Sequence, residues 1–142
     1  MLLVEKLLKA IELTKMGRLD EAEKIYKELI KENIPEAYNN LGNIYRKKGL
    51  IARAIEYYQK AIEIKPDFAE CYFNLGCAYM EIDNYSMAIF SMEKAEKLGF
   101  KQFDLDVQLA LCYLAVGNKK RANQRMKDEK VREEVLKYIE EG

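Results

Sequence analysis

Apolar residues recur at i, i+3, i+4 and i+7 along nearly the whole chain, and no stretch alternates apolar with polar positions long enough to read as a strand. The pattern predicts an all-α protein with helices over roughly 3–16, 19–32, 36–48, 51–64, 69–82, 85–98, 103–116 and from 119 onward. Its interruptions are short and of two kinds. Gly17, Gly49, the Asp83-Asn84 pair and Gly117 supply residues that tolerate the left-handed conformation a tight helix C-terminus needs. Pro35, Pro66 and the Gly99-Phe100 step mark the other kind, because proline lacks the N–H that would continue a helix.

The apolar pattern is itself periodic. Leu41, Gly42, Tyr45, Ala54 and Ala61 return 34 residues later as Leu75, Gly76, Tyr79, Ala88 and Ala95, and then as Leu109, Ala110, Tyr113 and Ala122. A fixed period of this length signals stacked helix pairs, since one pair cannot bury its own apolar face. The small residues have a packing reading: Gly42 and Gly76 lie where the first helix of a pair approaches the second closely. Ala54, Ala61, Ala88 and Ala95 offer small surfaces opposite large neighbours such as Tyr45, Tyr58 and Tyr79.

Together with Tyr38, Gly49, Tyr58 and Pro66, these residues make the chain resemble the tetratricopeptide-repeat family over nearly its whole length. The first repeat carries the weakest match, through Ala10, Leu13, Gly17, Ala22 and Tyr26. The resemblance implies a right-handed superhelical solenoid forming a single domain over 1–142, with four helix-turn-helix repeats at approximately 3–34, 35–68, 69–102 and 103–128. The last repeat departs from the pattern: Glu129 and Arg132 fall in small or apolar slots, and Val131, Val135, Tyr138 and Ile139 begin a new amphipathic stripe. We read 129–140 as a C-terminal capping helix, with a detachable helix that docks on another molecule as the alternative.

In this family the first helix of each pair lines a concave face that grips an extended peptide or a helix. Carried over to this chain, the lining is Leu7, Ile11, Asn39, Asn43, Arg46, Phe73, Cys77, Met80, Val107, Leu111 and Leu114. Most of these are apolar, and a contiguous exposed apolar patch marks an interaction site. Some family members hold a partner's C-terminal carboxylate with cations on successive first helices. Here Leu7, Glu70, Asp104 and Gln108 stand where that charge would be needed, which argues against a carboxylate clamp.

Composition narrows the chemistry. With no histidine, one threonine (Thr14) and two serines (Ser86 and Ser91), the chain cannot assemble a Ser-His or Cys-His nucleophile pair or a histidine-ligated zinc site. Cys71, Cys77 and Cys112 show no CxxC spacing and read as small buried apolar residues. Every glycine is assigned to a turn, a helix contact or the terminus, leaving no phosphate-binding loop. The expectation is a non-enzymatic, cytoplasmic protein with no cofactor, metal or membrane span. Lys+Arg and Asp+Glu balance at 24 each, so no global field draws nucleic acid. The basic stretch 119–132 is the one place that could contact phosphates, and nucleic-acid binding there is the alternative function. The expected partner is a protein or peptide, with a homodimer through apolar terminal residues (Leu2, Leu3, Leu7, Tyr138, Ile139) as a further option.

Overall fold

The computed structural model describes residues 2–142, and every regular element among them is helical. The chain divides into two compact units, one ending at Cys71 and the other spanning Tyr72–Gly142.

In the first unit α1 (Leu3–Lys15) pairs with α2 (Leu19–Leu29), and α3 (Pro35–Lys47) pairs with α4 (Ile51–Ile64). Pro35 opens α3 at a position where its missing N–H is not needed. Each pair turns through a glycine at φ +79°, Gly17 or Gly49. The closing bonds repeat: Gly17 and Arg18 donate to the carbonyls of Thr14 and Leu13, as Gly49 and Leu50 donate to those of Arg46 and Tyr45. Gly17 and Gly49 are only 32 positions apart, which is why the 34-residue match fades in the first repeat. A short 3₁₀ turn at Ile30–Glu32 and a left-handed Asn33 make the link between the pairs.

Gly42 is required by the α3–α4 contact. A Cβ there would lie 2.6 Å from Cε1 of Tyr58, a fully buried ring whose hydroxyl donates to Asn43 Oδ1. Ala54 and Ala61 are also fully buried, as their small size in the pattern predicts. About one turn further along α3, Tyr45 stacks on Tyr57 of α4 with centroids 5.2 Å apart and donates its hydroxyl to Glu23 of α2. Lys27 and Lys48 also reach Glu23, each at 2.8 Å. Burial alone would push the Glu23 carboxyl up; the hydrogen bonds from Lys27, Lys48 and Tyr45 outweigh it and hold the group at about 2.

Helix α5 (Ala69–Glu81) begins at the end of the first unit and runs into the second. There it is followed by α6 (Tyr85–Lys97), α7 (Phe103–Ala115), α8 (Lys119–Arg125) and α9 (Glu129–Glu141). The turns copy those of the first unit. Asp83 and Asn84 donate to Met80 and Tyr79, and Gly117 and Asn118 donate to Leu114 and Tyr113. Asp83 takes the left-handed place at φ +60° that glycine holds elsewhere. Gly76 faces Met92, whose Cγ would lie 2.6 Å from an added Cβ.

Helix α8 is half the length of α4 because the small slot seven positions after Ala122 is occupied by Glu129. The chain instead breaks at Met126, and Asp128 restarts a helix by accepting the Lys130 N–H at 2.7 Å. The resulting α9 packs on α7, with Val107, Ala110, Val131 and Val135 forming one buried cluster.

Candidate functional site

The expected lining residues are distributed over the two units. In the first, Leu7 and Ile11 of α1 and Asn43 and Arg46 of α3 are half-buried, while Asn39 is only 2% exposed. Ile11 and Asn43 meet at a cavity of about 180 Å³, whose walls are completed by Thr14, Lys15, Tyr26 and Asn40. Ile11 supplies an apolar wall. Apart from the exposed Lys15, the one charged wall, the polar groups are neutral and already cross-linked: the Tyr26 hydroxyl bonds with Thr14 and Asn40, Thr14 donates to the Ala10 carbonyl at 2.8 Å, and Asn43 accepts from Tyr58. Asn39 donates to Asn40 Oδ1 at 3.4 Å, joining the same network. Burial pushes the Tyr26 phenol up, with the two hydrogen bonds opposing, so it stays a neutral donor and acceptor at physiological pH. Thr14, Tyr26 and Asn40 belong to this site although the lining pattern does not include them. Their signal in the sequence was faint, since Tyr26 and Asn40 occupy ordinary packing slots. Only the rarity of threonine sets Thr14 apart.

In the second unit Phe73, Cys77 and Met80 of α5 are half-buried. Phe73 stacks on Phe100 with centroids 4.6 Å apart, so part of its ring is committed within the unit. On α7 the expected lining is covered. Val107 is fully buried beneath Val131 and Val135, and Leu111 and Leu114 pack partly against the same cluster. Val107 therefore does not stand on an open surface in this conformation, because α9 has removed it from solvent.

The basic stretch is partly neutralised. The Arg125 guanidinium takes both oxygens of Glu96, at 2.6 and 2.9 Å, and reaches Asp106 at 3.3 Å. Arg132 donates to the carbonyls of Met126 and Lys127, and Arg121 lies over the Tyr113 ring. Cys71 and Cys112 are buried thiols, and burial pushes the Cys112 thiol up to about 12. Among the described residues no group of three or more His, Cys, Asp or Glu side chains could hold a metal ion, and no helix is long and apolar enough to cross a membrane.

Against this geometry the comparisons with known proteins are informative. Residues 35–68 and 57–90 each match a model described as a tetratricopeptide repeat, and residues 12–34 match one described as a PPR repeat. A UDP-N-acetylglucosamine–peptide N-acetylglucosaminyltransferase of Giardia intestinalis is 32% identical over 77 residues, 54% of this chain but only 5% of that protein. The chain thus corresponds to a small fraction of the curated relatives it matches. Among solved structures, MamA superposes with a TM-score of 0.75 at 29% identity, covering 83% of this chain and 70% of that one. YrrB, a TPR protein with an unusual peptide-binding site, does so with a TM-score of 0.69 at 26% identity, over 72% of this chain and 54% of that one. The 35–68 match spans the α3–α4 pair, the 57–90 match runs from within α4 to within α6, and the glycine contacts and turn bonds recur in both units; residues 35–90 of the chain are tetratricopeptide repeats.

Proposed function

We propose that this chain is a non-enzymatic protein-interaction scaffold that holds a peptide segment of a partner on the first-helix faces of its units. The observation that carries the reading is the α1–α3 cavity of the first unit. There an apolar wall from Ile11 and the exposed, charged Lys15 stand beside a neutral floor of hydroxyls and amides from Thr14, Tyr26, Asn40 and Asn43. An uncharged floor suits the peptide backbone, whose N–H and C=O groups are dipoles without net charge, and the wall suits one apolar side chain. YrrB, with its peptide-binding site, supports the same direction. The half-buried Phe73, Cys77 and Met80 offer a second, more apolar surface, to which methionine adds adaptability. A cavity this small buries little area, so a single peptide is expected to bind with a Kd on the order of micromolar.

The test is selection from a displayed library of unstructured peptides, followed by titration of the enriched sequences. Wild type should bind them at least ten-fold more tightly than Ile11→Asp, with unchanged circular dichroism. Equal binding by both chains refutes the assignment. The nucleic-acid alternative loses weight because Arg125 and Arg132 are engaged within the chain. Retention on nucleic acid that falls when Lys119, Lys120 and Arg121 become Gln would favour it.

A further inference from the structure

Tyr45 and Tyr113 occupy the same slot of the repeat, one in each unit, and each carries an arginine over its ring: Arg53 at 5.5 Å and Arg121 at 5.9 Å. In the first unit the group that meets the tyrosine hydroxyl is an oxyanion from the chain itself, the Glu23 carboxylate, which Lys27 and Lys48 also hold. The second unit is charged differently. Counted from the turn residues Gly17 and Asp83, Ile89 stands where Glu23 does and Glu93 where Lys27 does. Beside Tyr113 lies a cavity of about 330 Å³, walled by Glu93 of α6, Asn118 of the turn, and Lys120, Arg121 and Gln124 of α8. Arg125 closes one side, but its guanidinium is already spent on Glu96 and Asp106. Donors predominate among the remaining groups. Lys120 and Gln124 make no hydrogen bond or ion pair with the other described residues, and Arg121 uses one N–H on the Tyr113 hydroxyl. Asn118 accepts the Arg121 backbone N–H through Oδ1 at 3.1 Å, which leaves its amide N–H pair to donate. The half-buried Glu93 is the one carboxylate in the wall.

We propose that the cavity beside Tyr113 binds a single phosphate group that retains a proton. Lys120, Arg121, Gln124 and Asn118 donate to its oxygens, two of them as charge-assisted donors. Glu93 can only accept, so it takes the proton of the bound group. This one carboxylate sets the selectivity. Sulfate, carboxylate and phosphodiester groups carry no proton at neutral pH and would turn a lone pair toward Glu93. Inorganic phosphate keeps a proton there, and a phosphorylated side chain, with its second pKa at about 6, binds once it takes one up. Free phosphate and a phosphorylated side chain of a partner thus offer the same chemistry. The site shares no residue with the expected first-helix lining, so it goes beyond the peptide-holding reading and stands or falls independently of it.

The test follows backbone amide shifts of the full chain by NMR while sodium phosphate, sodium sulfate, phosphoserine or a short oligothymidylate is added at neutral pH and constant ionic strength. Phosphate should move the amides of Asn118 to Arg125 and bind at least five-fold more tightly than sulfate. Glu93→Gln should bring the two anions within two-fold of each other, by loosening phosphate and tightening sulfate. Lys120→Gln and Arg121→Gln should each weaken phosphate at least three-fold. If circular dichroism shows that Arg121→Gln has lost helix with its ring contact, the exposed Lys120→Gln carries that arm alone. Equal affinity of the wild type for phosphate and sulfate overturns the proposal. So does a Glu93→Gln chain that keeps the wild-type preference, or a Lys120→Gln chain that binds phosphate as wild type does. An oligothymidylate that binds more tightly than phosphate overturns it in favour of nucleic acid. Phosphoserine that outbinds inorganic phosphate supports the site with a phosphorylated side chain as the source, and the reverse order supports it with the free ion; binding of neither overturns it.

Discussion

Replacing Gly42 with alanine adds one methyl group where the backbone of α3 meets a buried ring. The new Cβ would stand 2.6, 2.7 and 3.0 Å from Cε1, Cδ1 and Cζ of Tyr58, against an ordinary carbon–carbon separation of about 3.5–4.0 Å. The ring must move by roughly 1 Å, and little around it yields. It is fully buried, and its hydroxyl is bonded to Asn43. Overpacking costs about 1–3 kcal/mol, the immobile ring places this site in the upper half of that range, and the better helix propensity of alanine returns about 1 kcal/mol. The net expectation is a loss of about 1–2 kcal/mol, or roughly 3–8 °C in Tm for a chain of this size. Gly76→Ala makes the sharper comparison. Its Cβ meets the Met92 side chain at 2.6 Å, and a thioether chain can rotate away, although the Ala88 carbonyl at 3.1 Å still limits the space. It should lose less than about 1 kcal/mol. Urea and thermal unfolding followed by circular dichroism measure both variants, and Tyr58→Leu completes a double-mutant cycle with Gly42→Ala. The reasoning fails if Gly42→Ala is as stable as wild type, if Gly76→Ala is the more damaging, or if the two substitutions in the cycle are additive.

Glu23→Gln should remove about 1–2 kcal/mol at neutral pH, a figure reduced for the solvent exposure of Lys27 and Lys48. Because folding lowers the Glu23 pKa from 4.5 to about 2, its contribution is full above 4.5 and is lost as pH falls toward 2. The gap between variant and wild type in urea unfolding should therefore narrow across that window, and a gap that stays constant refutes the ion cluster. Asp83→Gly relieves a left-handed backbone and should raise stability by about 0.5–1 kcal/mol, less the exposed bond from Tyr85; a fall in Tm contradicts it. With a chromogenic disulfide reagent at pH 8, the half-buried Cys77 should react first. Cys71 and Cys112 should wait for unfolding, and three equally fast thiols would contradict their burial.

The helix boundaries were legible to within a few residues because their causes are local. Apolar spacing places each helix, and a residue able to turn left-handed ends it, so that Gly17, Gly49, Asp83 and Gly117 stand at equivalent points. The glycine contacts were legible for a related reason: a slot that must stay small in one pair must stay small in the next. The candidate sites were less so. The polar floor of the first unit joins Thr14, Tyr26 and Asn40 from three helices, and no spacing along the chain records that meeting.

By itself, then, the sequence determined the helices and their pairing, since these follow from periodicity and turn chemistry acting over a few residues at a time, and the 34-residue recurrence added the tetratricopeptide repeats. The tertiary structure alone decided which lining residues meet solvent. Val107 reads like any other apolar position on a first helix, and its burial depends on α9 returning to it from more than twenty residues away. It also decided that Arg125, one basic residue among many in the sequence, is held by Glu96 and Asp106. Burial and ion pairing depend on what arrives from elsewhere in the chain, whereas periodicity reports only which side of a helix a residue occupies.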